Sequence, residues 1–255
     1  MHRFFLSPAE STGRTLVLRG PEAYHAIRVL RMHQGERATL MDGQGHELLS
    51  EVVEVARDHV VFRVVQKQEF PVLPYRLTLV QALTKAKSMD LIVQKAVELG
   101  VSCLAPVQTS RCVVQVESDD ADRKVEKWKT IVVEAVKQCG SPWLPKVDPP
   151  MTVQARLQQD LGCELVLLAS LQTGSRHPRE YFNTFMVENK RPPRAVAVWV
   201  GPEGDFTPAE LSLIQSAGGL PITLGPMVLR SETAALYCLS VLSYELQALH
   251  GSAAP

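Results

Sequence analysis

The chain has 255 residues, 45% of them hydrophobic, with 27 Lys and Arg balanced by 27 Asp and Glu and a mean hydropathy near zero. This composition supports a real core and excludes disorder, and no apolar run approaches the roughly 20 residues of a membrane helix. Five cysteines (103, 112, 139, 163, 238) without CxxC pairing, seven scattered histidines and a start that turns polar too soon for a signal peptide indicate a reduced, cytoplasmic chain with no structural metal.

From Arg14 to about Phe70 the pattern is β-like. Strands are predicted at Thr15–Leu18, Arg37–Met41, Leu48–Val55 and Val60–Val65, with Asp42-Gly43-Gln44-Gly45 and Arg57-Asp58-His59 as hairpin turns. Between the first two, Pro21–Met32 predicts a helix with Pro at its start and Ala23, Ile27 and Leu30 on one face. Short strands around one helix predict a small barrel. A first domain is therefore set at 1–72, with Pro71-Val72-Leu73-Pro74 as linker.

From Tyr75 strands alternate with helices. Leu77–Leu83 precedes a helix over Ser88–Leu99 that Gly100 closes, and Leu104–Val107 precedes a helix within Asp119–Gln138. Further strands are predicted at Leu165–Ala169, Ala195–Val200 and Ile222–Leu224, with helices at about Pro208–Ala217 and Ser231–Leu249. The alternation predicts a mostly parallel sheet with helices on both faces, forming a second domain at 73–255.

Two segments of that domain carry the most chemistry: Gly201-Pro202-Glu203-Gly204-Asp205-Phe206-Thr207 and Leu224-Gly225-Pro226-Met227-Val228-Leu229-Arg230-Ser231-Glu232-Thr233-Ala234. Each lies between a predicted strand and a predicted helix, where bare backbone groups can face a ligand. Neither has phosphate-loop spacing, and Pro202 and Pro226 remove amide donors, so the pair suits an adenosine better than a polyphosphate. Gly201 and Gly204 are equally readable as turn glycines after a buried strand. Thr207 and Ser231 are predicted N-caps, and Glu232 is favoured by the helix dipole. Arg230, just outside the helix, is opposed by that dipole and needs another partner.

Formal neutrality gives no argument for nucleic-acid binding, yet basic residues can gather on one face. His25, Arg28 and Arg31 lie about a turn apart on the first predicted helix, either as a solvated face or as phosphate contacts. Lys124, Lys127 and Lys129 mix with Asp119, Asp120, Asp122 and Glu126 as a solvated helix.

Taken in order, His25–Arg31, Lys87–Asp90, Gln94–Val101, Ser110-Arg111-Cys112, Glu134-Ala135, Gln138-Cys139-Gly140 and the two C-terminal loops resemble the bacterial 16S ribosomal RNA uridine-N3 methyltransferases (RsmE type) of the SPOUT class. The resemblance runs almost end to end. It implies a PUA-like β-barrel for RNA binding, followed by an α/β SPOUT domain with a trefoil knot, S-adenosylmethionine as cofactor, and a homodimer acting on 16S rRNA in the small subunit. For methyl transfer to N3 of uridine, Arg230 is the catalytic candidate to stabilise the charge that develops as N3 loses its proton, and Glu232 is a candidate base, a role that water or hydroxide could equally fill. For the cofactor it implies Leu168, Val200, Gly201, Pro202, Glu203, Gly204, Leu224, Gly225, Leu229, Arg230, Ser231, Thr233 and Ala234. For RNA it implies Arg3, His25, Arg28, Arg31, Lys95, Arg111 and Gln138. Two positions depart from the family pattern: Ser141 stands where Arg usually follows Gln-Cys-Gly, and Asp205 stands where a second Gly is usual. Action on another RNA such as tRNA, or a non-catalytic role in ribosome assembly, are the alternative readings.

Overall fold

Alternating apolar residues between His2 and Val64 close five strands around one core. The strands are β1 (His2–Phe5), β2 (Thr15–Leu18), β3 (Arg37–Met41), β4 (His46–Val55) and β5 (Val60–Glu69), in the order β1-β3-β4-β5-β2. All pair antiparallel except β1 with β3. Phe4, Leu16, Leu18, Leu40 and Phe62 meet at the centre. Strand β1 is absent from the sequence reading; it carries Phe4 into register with Leu40. In the computed structural model, residues 1–115, 118–172 and 174–251 are described, the side chains of Ser118 and Asp119 excepted. The expected Asp119 charge therefore lies outside the described residues.

The predicted helix over Pro21–Met32 is not one regular helix. Helix α1 (Gly20–Tyr24) passes into a π-helical turn over His25–Val29, where the Leu30 N–H donates to the His25 carbonyl at 3.0 Å. Arg31 follows at φ +53, so it stands beyond the helix and not on a shared face with His25 and Arg28. A widened turn of this kind shifts the register that a 3.6-residue period assumes.

This first unit is Met1–Val72 together with Val133–Leu144. The second stretch fell within the second domain of the sequence reading, and its contacts explain its place here. Lys137, only 8% exposed, contacts Glu22 at 2.5 Å and Glu134 at 2.7 Å. Burial alone would push its ammonium down, but the two carboxylates hold it above its ordinary range. The Gly45 N–H donates to the Pro142 carbonyl and the Leu144 N–H to the Gly43 carbonyl, both at 2.9 Å. Trp143 lies against Gly45 and donates from Nε1 to the Pro71 carbonyl at 3.1 Å. The unusual Ser141 serves this turn: its hydroxyl donates to the Trp143 carbonyl at 2.9 Å.

The second unit is Leu73–Val132 with 145–251. Its elements are β6 (Arg76–Ala82), α2 (Ala86–Glu98), β7 (Cys103–Gln108), α3 (Ser118–Cys139, whose last residues belong to the first unit), β8 (Lys146–Val147), β9 (Met151–Thr152), α4 (Val153–Leu157), β10 (Leu165–Ala169), α5 (Pro178–Asn189), β11 (Ala195–Val200), α6 (Pro208–Ser216), β12 (Leu220–Ile222) and α7 (Ser231–His250). The sheet runs β12-β10-β11-β6-β7-β8, with β9 also on β7, and every pair is parallel. All six residues of β11 are buried, as a strand covered on both faces requires. Helix α7 packs on α2, β6 and β11.

Gly45 offers a sharp stability test, because it sits at φ +89 and a methyl group there would enter the Trp143 ring. Gly35 has a similar φ of +88 but open space around it. Gly35→Ala should cost about 1–2 kcal/mol from backbone strain alone. Gly45→Ala should cost roughly 3 kcal/mol or more, because strain and overpacking add. Thermal unfolding followed by circular dichroism should rank them in that order.

Candidate ligand-binding site

Strands β12, β10 and β11 are parallel neighbours, so their C-terminal ends open on one edge of the sheet, where ligands of open α/β sheets bind. A cavity of about 280 Å³ lies there. Of the residues predicted from sequence, Val200, Gly201, Pro202, Glu203, Leu224, Gly225, Leu229, Ser231 and Ala234 line it. Leu168, Gly204, Arg230 and Thr233 do not. Leu168 is fully buried one residue below the end of β10, while Thr233 and Arg230 are exposed. Sequence reasoning missed the third wall, Ala169-Ser170-Leu171-Gln172, and with it Asp205, Thr223, Pro226, Met227 and Val228. The signal for that wall is the sheet order, since β10 lies between the two strands that carry the loops.

The lining includes Ala169, Val200 and Ala234, all small or apolar. One wall offers free backbone amides. The N–H groups of Leu224, Met227 and Val228 have no hydrogen-bond partner among the described residues. Gly225 takes φ +101 with open space where a side chain would stand, so its backbone can approach a ligand. Small apolar lining residues beside free amides suit a planar heterocycle with hydrogen-bonding edges.

Two sets of side chains hold the 201–206 loop. On one side Ser231 is the first residue of α7 and not its N-cap, a place taken by Arg230. The Ser231 hydroxyl donates to the Gly201 carbonyl at 2.6 Å and accepts from Gln81 Nε2 at 3.1 Å. On the other side Arg111 Nη1 donates to the Gly204 carbonyl at 2.8 Å and the Phe206 carbonyl at 3.4 Å. Asp205 adopts φ +58, a conformation that Asp tolerates better than most residues, and accepts the Phe206 N–H on its own carboxylate at 2.8 Å. The departure from Gly at this position therefore keeps a left-handed turn. Thr207 caps α6 as expected, in a reciprocal box with Glu210.

Arg230 carries an exposed guanidinium with no hydrogen bond or ion pair among the described residues, between Leu229 and Ser231 of the cavity wall. Glu232 is half-buried in the first turn of α7. The predicted RNA residues are divided between the units. In the first, Arg28, Arg31 and Gln138 are exposed, His25 packs edge-on to Phe4, and Arg3 reaches the Lys137 carbonyl at 3.4 Å. In the second, Lys95 is paired with Glu98 at 2.8 Å and Arg111 is engaged in the loop.

Residues 71–243 match the family model described as RNA methyltransferase domain, and residues 18–65 match RNA methyltransferase PUA domain. Ribosomal RNA small subunit methyltransferase E of Aquifex aeolicus is 31% identical, over 95% of this chain and 99% of that one. The protein of that name from Bacillus subtilis is 29% identical over 98% and 99%. The chain belongs to the ribosomal RNA small subunit methyltransferase E family. A family member from Neisseria gonorrhoeae, solved bound to S-adenosyl methionine, matches with a TM-score of 0.82 at 28% identity over 96% of this chain and 98% of that one. A Legionella pneumophila structure in complex with bound SAM matches with a TM-score of 0.84 at 33% identity, over 96% of each chain. Membership brings with it a PUA-like first unit and a methyltransferase domain built on the parallel sheet.

Burial pushes the thiol of Cys103 up to about 11 and that of Cys238 up to about 12, so neither offers a thiolate at neutral pH. Among the described residues, no group of three or more His, Cys, Asp or Glu side chains is placed to hold a metal ion, and no helix is long and apolar enough to cross a membrane.

Glu210 is the titratable group that ties this site together. It is 8% exposed, and its two oxygens accept from the N–H groups of Ser110 at 2.7 Å and Thr207 at 2.8 Å and from both hydroxyls. Burial alone would raise its pKa, but these donors hold the carboxyl below its usual 4.5. Its stabilisation is therefore complete above that value and lost as pH falls through the lowered one. Glu210→Gln should cost about 1–3 kcal/mol at pH 7. Urea unfolding across pH should show this deficit shrinking below the ordinary carboxylate range, and a deficit constant with pH would mean that the carboxylate charge is irrelevant.

Proposed function

We propose that this chain transfers a methyl group from S-adenosylmethionine to N3 of one uridine near the 3′ end of 16S ribosomal RNA, in the decoding region of the small subunit. It does so as a cytoplasmic homodimer. The observation that carries this reading is the cavity over β10, with amides on one wall, and an arginine between two of its lining residues, that have no partner among the described residues. The names of the relatives, and the donor bound to two solved neighbours, support it. We also read the domain as a SPOUT trefoil knot. Support comes from α7, which leaves the edge strand β12 and returns to pack on β6 and β11 at mid-sheet.

In this reading Ala169, Val200 and Ala234 receive the adenine, and the free amides of 224–228 bond its edge. Glu203 is placed to accept ribose hydroxyls. Bound S-adenosylmethionine supplies an electrophilic methyl group, and the protein's contribution is chiefly to aim it. The uridine must leave its stack to expose N3. Arg230 stabilises the negative charge that develops on the base as N3 loses its proton, and that proton goes to Glu232 or to a water or hydroxide. Arg3, His25, Arg28, Arg31 and Gln138 hold the RNA through the PUA-like unit, with Lys95 on the other unit.

Methylation at N3 blocks the pairing face of uracil. Primer extension on small-subunit RNA should therefore stop at one uridine near the 3′ end, and the stop should vanish in a strain lacking this gene. A stop that persists, or one lost from a tRNA instead, would contradict the substrate assignment.

Gly225→Val should abolish donor binding through positive-φ strain and by filling the space left for the ligand. Gly201→Val should do so by driving into Asp205 and Phe206, which already lie 3.0 and 3.3 Å from where its Cβ would stand. Calorimetry should find no S-adenosylmethionine binding in either folded variant; normal affinity in both would remove these loops from the site.

Arg230→Ala should keep donor affinity within about tenfold while lowering turnover by roughly two or more orders of magnitude, the scale for losing one transition-state charge stabiliser. Methyl transfer to small-subunit RNA, measured beside donor affinity, separates this from a binding role: equal losses would make Arg230 a cofactor ligand.

A further inference from the structure

The predicted role of Arg111 as an RNA contact leaves one fact unexplained: its guanidinium is already bonded. It donates to the carbonyls of Gly204 and Phe206, and its aliphatic stem lies against Gly204, with Cβ 3.5 Å and Cδ 3.6 Å from where a Gly204 side chain would begin. Glu203 and Asp205, on either side of Gly204, line the cavity. A cation bonding two carbonyls two residues apart fixes the curvature of the turn between them, and arginine's planar fork is suited to it.

The base of Arg111 is itself anchored. Ser110, its neighbour, gives both its N–H and its hydroxyl to one oxygen of Glu210, while Thr207 gives the same two groups to the other. Thr109 and Cys112 close the turn beneath, with the Cys112 N–H on the Thr109 carbonyl at 3.2 Å. The buried carboxylate thus docks the turn after β7 onto the start of α6, and Arg111 reaches from that turn to the loop preceding the helix. The result is a closed circuit of 109–112, Glu210, Thr207 and 204–206.

We propose that Arg111 is a positioning residue for the donor loop, that Glu210 fixes the turn from which it acts, and that neither touches RNA. The proposal rests on the methyl-donor reading of the cavity, which it refines: donor affinity depends on a residue that lines no part of the pocket. Since the clamp acts before the donor binds, its effect is present in the ligand-free protein.

The test uses the full chain as wild type, Arg111→Ala and Arg111→Lys. Hydrogen exchange without ligand reads the loop through two amides, Asp205, bonded to the Pro202 carbonyl at 3.0 Å, and Phe206, bonded to the Asp205 carboxylate. Both should exchange at least fivefold faster in Arg111→Ala, and Arg111→Lys, which can still reach one carbonyl, should recover part of the protection. Calorimetry without RNA should show S-adenosylmethionine binding weakened tenfold or more in Arg111→Ala. At saturating donor its turnover should return to within about threefold of wild type, because the loss lies in KM and not in kcat.

Unchanged exchange in Arg111→Ala overturns the clamp whatever the donor does. Faster exchange with unchanged donor affinity overturns its role in positioning. Wild-type exchange joined to a flatter salt dependence of RNA binding would make Arg111 a phosphate contact instead. Failure of the wild-type protein itself to bind S-adenosylmethionine would contradict the methyl-donor reading, and the exchange comparison would still decide whether Arg111 shapes the loop.

Discussion

The Ser231 hydroxyl donates to the Gly201 carbonyl at 2.6 Å, and the geometry of the site depends on that bond. Strands β11 and β12 are not neighbours; β10 lies between them, so their ends stand two strand spacings apart, about 9–10 Å. Two loops at that separation, over a middle strand ending in the small pair Ala169-Ser170, leave room for a flat ligand. Ser231 closes the gap from one side by joining the start of α7 to the loop after β11. Gln81, 1% exposed in β6, supports it by donating to both Ser231 and the Ala82 carbonyl. Among the described residues the Gln81 Oε1 has no partner, a desolvation cost accepted inside the sheet to keep the amide aimed at Ser231.

The arginines around this site divide by what they bond. Arg111 is engaged with backbone carbonyls, and Arg156, deeper in the same unit, is paired with Asp148 at 2.9 Å and only 1% exposed. Arg230 is held by neither kind of partner among the described residues. It also stands at the N-terminal end of a helix, where the dipole opposes a cation. An unpaired cation at an unfavourable place beside a cavity is a functional candidate on physical grounds, independent of family resemblance.

The sequence made the strand-loop-helix units plain, because buried parallel strands such as Ala195–Val200 read as unbroken apolar runs and Thr207 announces a helix. It could not give the strand order. Nothing local in Leu165–Ala169 says that this strand inserts between β11 and β12, so the wall at Ser170–Gln172 stayed invisible while the two glycine loops did not. The same limit hid the membership of 133–144 in the first unit: Lys137 reads as one more helical lysine until Glu22 is found against it. Helix α5 was missed because its capping box uses His177, an uncommon cap, in place of Ser, Thr, Asp or Asn. Ser231 was misplaced by one residue because the same hydroxyl that could cap the helix is spent on Gly201. The sequence reading gave Arg111 to RNA and Arg230 to the reaction, and among the described residues the hydrogen bonds separate an engaged arginine from a free one.

We place the methyl donor over the end of β10, between the loops after β11 and β12, as a proposal. A crystal structure of the full chain with S-adenosylmethionine tests it most directly. The account predicts adenosine between 201–205 and 224–229, hydrogen bonds from amides of 224–228, the Ser231–Gly201 bond intact, and the sulfonium methyl facing Arg230. Donor bound elsewhere, or bound here with its methyl turned away from Arg230, would contradict it.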